Sequence, residues 1–154
     1  MKKLFVFALL LSGLNCASQT LSNGNKIVNR SDYNVQNFAD SCLNSLGVDS
    51  VLIMVVPTSE LINSRYEGLC VRNNEKTFTI LINRQNTFST FRYILAHELS
   101  HVWQYSNNLS VKGAEIYFNG LTYEANARRH EERPHEIEAK QIGEELSEKF
   151  KNVR

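Results

Sequence analysis

The stretch His97-Glu98-Leu99-Ser100-His101 combines residue types and a spacing that could carry chemistry. A helix turns about 100° per residue, so histidines four apart stand one turn above each other, within reach of a single ion. Zinc takes imidazole nitrogen at about 2.0–2.1 Å, and in hydrolytic sites it keeps three protein ligands and an open position for water. A glutamate beside the first ligand can stand next to that water as proton acceptor. The chemistry implied is metal-assisted hydrolysis, with His97 and His101 as Zn2+ ligands and Glu98 as catalytic base. Two histidines that merely packed in the interior would each need a hydrogen-bond partner there.

The surrounding pattern supplies a helix for this motif. Thr87 or Ser89 can cap it, and Phe88, Phe91, Leu95, Leu99 and Val102 recur on one face as far as about Tyr105. Ile94, His97, His101 and Tyr105 form a stripe beside that face. Upstream, a helix runs from an Asp32 cap through Val35, Phe38, Ala39, Cys42, Leu43 and Leu46 to a stop at Gly47. Val51 to Val56 reads as a strand buried on both faces, ended by Pro57. Strands around Tyr66 to Arg72 and Lys76 to Asn83, joined by Asn73-Asn74-Glu75, read as a hairpin. Downstream, Asn119-Gly120 marks a tight hairpin within 116–123. Pro134 opens a last helix whose buried stripe is Ala139, Ile142, Leu146 and Phe150. The expected fold class is α+β, with a small, mostly antiparallel sheet.

Tyr93-Ile94-Leu95-Ala96-His97-Glu98-Leu99-Ser100-His101-Val102-Trp103-Gln104 resembles the metal-binding helix of zincin peptidases. Arg133-Pro134-His135-Glu136-Ile137-Glu138-Ala139-Lys140 is similar to the glutamate helix of the gluzincin branch. The element order over 31–150 also resembles the minimal gluzincin core, so the resemblance implies a zincin-like metallopeptidase domain. It implies Glu136 as third metal ligand and Ala139 as the small residue that lets the two helices approach. Lys140 departs from the pattern: it stands where an Asp or Asn would orient a histidine, and an ammonium accepts no hydrogen bond.

Helical geometry alone leaves the third ligand open, because Glu136 and Glu138 flank the apolar stripe of the last helix at similar angles. His130 and His135 are the candidates for a three-histidine site. For a donor to a developing oxyanion, Tyr117, Tyr123, His130 and His135 all lie between the motifs or beside the second.

Residues 1–18 read as a secretory signal: Lys2 and Lys3 precede the apolar run Leu4 to Leu11, which is too short to span about 30 Å of hydrocarbon. Cys16 offers a lipid anchor, while Cys16-Ala17-Ser18 offers a cut before Gln19. The expected location is therefore periplasmic or secreted, free or as a lipoprotein. Residues 19–30 are polar and read as a flexible leader, and 31–154 form the one folded domain. Loss of 1–18 removes two lysines and no acids, leaving 15 basic against 16 acidic residues, a formal charge of −1 without a footprint for nucleic acid. Export would leave Cys42 and Cys70 either as a disulfide or as small buried hydrophobes.

The sequence thus points to a monomeric, exported zinc metallopeptidase acting on a peptide or protein substrate. A non-catalytic, metal-stabilised binding module at the cell envelope is the alternative, and a metal-free packing domain the third reading.

Overall fold

Alternation of apolar residues builds the larger sheet. Strands β2 (Lys26–Asn29), β3 (Leu52–Thr58) and β5 (Thr77–Asn83) turn Ile27, Ile53, Val55, Phe78, Ile80 and Ile82 to one fully buried face. The computed structural model describes residues 18–20 and 23–153. Within them β1 (Ser18–Thr20) and β4 (Gly68–Asn74) complete a five-stranded sheet in the order β1-β2-β3-β5-β4. The fold class is α+β, with three α-helices and two small sheets among the described residues.

The sheet is mixed rather than mostly antiparallel. The β2–β3 and β3–β5 ladders are parallel, whereas β1–β2 and β4–β5 are antiparallel. Segment 26–29, expected to belong to a flexible leader, is an internal strand with Ile27 in the core. A four-residue strand is too short to show a period, and its order comes from pairing with β3. Strand β3 is deeply buried on one face alone, since Leu52, Met54 and Val56 are only partly covered. Residues 1–17 of the expected signal, Cys16 included, lie outside the described residues, and Ser18 opens β1.

Helix α1 (Gln36–Ser45) buries Phe38, Ala39, Cys42 and Leu43 against the sheet and stops at Gly47, whose φ of +67° suits glycine. It starts later than expected. Val35 occupies the cap position, while Asn29 binds the backbone N–H and the hydroxyl of Ser31, holding 29–33 in a turn. Helix α2 (Phe88–Asn107) lies on the same face and contributes Phe91, Leu95, Leu99 and Val102 to the core. Helix α3 (Pro134–Lys149) packs on α2. Arg92 joins all three helices: its guanidinium donates to the carbonyls of Phe150 and Lys151 beyond the end of α3, and lies 4.2 Å from the centre of the Phe38 ring.

The second sheet is an antiparallel meander of β6 (Leu109–Lys112), β7 (Glu115–Phe118) and β8 (Leu121–Glu124). Its turn at Asn119-Gly120 has φ of +49° and +77°, the paired left-handed residues of a tight hairpin. Leu109, Ile116 and Phe118 form a small core of their own beside Tyr105 and Tyr123. Cys42 and Cys70 are both free thiols. Burial pushes the Cys42 thiol up to about 12, so it behaves as a small hydrophobe. Among the described residues, no helix is long and apolar enough to cross a membrane.

Candidate metal centre and cleft

Helix α2 presents its side chains in three directions. Thr87 caps its first turn through a hydrogen bond from the Thr90 N–H. With the core face held on the sheet, His97 and His101 turn toward α3, and Glu98, about 100° further round, turns toward β4. Helix α3 begins at Pro134, a residue preset for a first helical turn, which places Glu136 opposite the two imidazoles.

The structure brings His97, His101 and Glu136 together. His97 Nε2 lies 3.2 Å from His101 Nε2, and Glu136 Oε2 lies 3.5 Å and 3.3 Å from these two nitrogens. Donor atoms about 2.0–2.1 Å from a tetrahedral ion stand about 3.3–3.4 Å apart, so this triangle has the size of one face of such a coordination shell. The donor set, two neutral imidazoles and a carboxylate, also suits zinc in its chemistry.

Glu138 is turned elsewhere: its Oε2 accepts from Gln104 Nε2 at 2.9 Å. His130 and His135 meet the other oxygen of Glu136, at 2.9 Å and 3.2 Å from Oε1. The two carboxylate oxygens thus face different partners. Of the four residues considered as oxyanion donors, His130 lines the cleft, with its ring edge-on to Tyr66 at 5.0 Å. Tyr117 is engaged with Glu115 instead, and Tyr123 with His135.

The hydrogen-bond acceptor that Lys140 does not provide comes from α2 itself. Gln104 Oε1 sits 2.8 Å from His101 Nδ1, while its amide nitrogen donates to the carbonyl of His135. This bond places the proton of a neutral His101 on Nδ1 and leaves the Nε2 lone pair facing His97 and Glu136. The sequence holds a signal for this role: residue 104 lies three positions after His101, on the same helical face, and a buried amide needs partners.

Comparison with known proteins finds no match among family models, curated proteins or solved structures. The geometry of the site therefore carries the functional argument.

Two glycines set that geometry. At Gly143, a Cβ would stand 2.9 Å from His97 Cα, so α3 approaches the backbone of α2 at His97 itself. Ala139, one turn earlier on α3, is fully buried. At Gly68, a Cβ would stand 2.5 Å from Glu98 Oε1 and from Ile94 Cγ2, so the start of β4 leaves room for the carboxylate.

A cleft of about 250 Å³ opens between the approach to β4, α2 and the start of α3, with Tyr66, Gly68, Tyr93, His97, Glu98 and Glu136 in its wall. Glu98 is only 4% exposed. Burial raises its carboxyl above the ordinary value, and the positive charge of His101 and His97 draws it partly back. Burial alone would also raise Glu136, but hydrogen bonds to four imidazoles hold it far below the carboxylate range. Burial lowers His101, yet hydrogen bonding to Glu136 and the charge of Glu98 outweigh this and raise it above the ordinary value.

Proposed function

We propose that this chain is an exported zinc metallopeptidase of the zincin type, hydrolysing peptide bonds in the cleft beside Glu98. The observation that carries this reading is the triangle of His97 Nε2, His101 Nε2 and Glu136 Oε2, whose sides of 3.2, 3.5 and 3.3 Å fit three donors around one ion. Zinc bound there would polarise a substrate carbonyl and acidify a water molecule.

The rest of the chemistry falls to side chains. Glu98, buried and raised by burial, is suited to take a proton from water and return it to the leaving amine. His130, in the cleft wall, would donate its Nε2–H to the oxygen on which charge develops, exchanging its bond to Glu136 for that one. The order of the larger sheet leaves β4 at its edge, with Leu69 and Val71 exposed, so an extended peptide can pair with its free backbone groups beside Glu98. That wall supports a catalytic role over a metal-stabilised binding module, because it brings solvent and substrate to the metal position.

Export rests on Lys2, Lys3 and the run Leu4 to Leu11. The test is zinc content and peptide hydrolysis of purified wild type and Glu98→Gln. We expect zinc in both and turnover in the wild type alone. Wild-type protein without zinc, or a fully active Glu98→Gln, would overturn the proposal.

A further inference from the structure

We propose that Tyr123 is a positioning residue for the carboxylate of Glu136, acting through His135. The inference rests on the metal reading above and assigns a function to the small sheet, which supplies no ligand. Tyr123 lies on β8, and its hydroxyl is 2.5 Å from His135 Nδ1. On the other side of that ring, His135 Nε2 is 3.2 Å from Glu136 Oε1.

The direction of the protons follows. With Nδ1 accepting from the Tyr123 hydroxyl, the ring hydrogen sits on Nε2, facing Oε1 as a donor. Both ring nitrogens are thereby engaged, and His135 is not free to act as a third imidazole ligand.

The ring is also fixed in orientation. Tyr123 stacks on it at 6.1 Å and 24°, while Phe118 of β7 meets it edge-on at 6.1 Å and 63°. Oε1 is held by His135 together with His130, at 3.2 and 2.9 Å, and Oε2 is left toward His97 and His101. A carboxylate fixed this way would offer a metal ion Oε2 alone, which would leave room for water beside it.

The experiment measures zinc affinity by competition with a chromophoric chelator, and melting of the metal-free protein, for wild type, Tyr123→Phe and Tyr117→Phe. The second variant removes a hydroxyl from the neighbouring strand, where it bonds to Glu115. We expect Tyr123→Phe to weaken zinc binding about tenfold or more, and Tyr117→Phe by less than about twofold. Tyr123→Phe also leaves the buried Nδ1 of His135 unpaired, at about 1–3 kcal/mol, so the affinities are compared well below the metal-free melting temperatures of all three proteins. Wild-type affinity in Tyr123→Phe, or an equal loss in Tyr117→Phe, would overturn the proposal. Wild type that binds no zinc removes the metal reading and this inference together. Should Tyr123→Phe not fold, His135→Gln, which keeps a donor for Oε1, is expected to bind zinc more tightly than His135→Leu, and equal affinities would overturn the role.

Discussion

Gly143 of α3 rests on the backbone of His97: a Cβ there would lie 2.9 Å from His97 Cα and 3.0 Å from its amide nitrogen. A helix carrying one candidate ligand is thereby seated on the residue that supplies another. Backbone atoms cannot swing aside as a side-chain tip can, so Gly143→Ala must push α3 away from α2. We expect a loss of about 1–3 kcal/mol in stability, typical of overpacking, measured by denaturant unfolding. Zinc affinity should fall with it, because Glu136 lies two turns earlier on the same helix. Wild-type values for both would disprove the close seating.

Gly68→Ala makes the opposite kind of intrusion. Its Cβ meets Glu98 Oε1, the end of a side chain that can turn, and Ile94 Cγ2, a methyl held by a stiff β-branched carbon in α2, so the carboxylate is the group displaced first. Stability should fall by about 1–3 kcal/mol, as overpacking does, while zinc content should change little. Turnover should drop by about 10²-fold, the effect of misplacing a catalytic group by about 1 Å. Steady-state kinetics at matched zinc content decides, and an unchanged kcat would show that Glu98 has no fixed working position.

Gln104→Leu leaves His101 Nδ1 without its partner and removes a second donor to the His135 carbonyl and the donor to Glu138. An unpaired buried polar group costs about 1–3 kcal/mol, so the melting temperature should fall even without metal. Losing the group that orients His101 should also weaken zinc binding about 10- to 100-fold. Calorimetric titration against wild type is the measurement, and unchanged affinity would mean that the imidazole is oriented by other contacts.

The pH dependence of stability should reverse when metal is added. Glu136 is held below its ordinary value, so its contribution exists above the carboxylate range and is lost as pH falls through its depressed folded value. His101 is raised, so its contribution is complete below about 6.5 and is lost as pH rises through the folded value. Glu98 is raised as well and acts in the same direction. Metal-free protein should therefore melt lower at pH 8 than at pH 6. Zinc must displace protons from the imidazoles, so its stabilisation should grow over the same interval. Scanning calorimetry with and without zinc tests both signs, and parallel trends would refute the competition between protons and cation.

Several elements were legible because their signal is local. Phe91, Leu95, Leu99 and Val102 recur at helical spacing and are buried in α2, whereas Phe88, expected on the same face, is exposed at its first turn. Phe78, Ile80 and Ile82 alternate, and all three are fully buried in β5. Asn119-Gly120 and Pro134 marked a turn and a helix start through backbone preferences that need no partner. Strand β2 was not legible, since Lys26-Ile27-Val28-Asn29 gains its order from β3, more than twenty residues away. The parallel pairing was hidden for the same reason. Strand β6 carries too few residues to announce itself.

The sequence by itself determined that His97 and His101 share one helical side with Glu98 about 100° round from His97, because a helix repeats at fixed angles whatever surrounds it. It left Glu136 and Glu138 open, since those angles refer only to their own helix. Tertiary structure separates the two: with α3 seated on α2 at Gly143, Glu136 turns to the imidazoles and Glu138 to Gln104. Gln104, Tyr123 and His135 likewise acquire their partners only when separate elements pack, because hydrogen-bond geometry between distant segments is set by docking and not by local propensity.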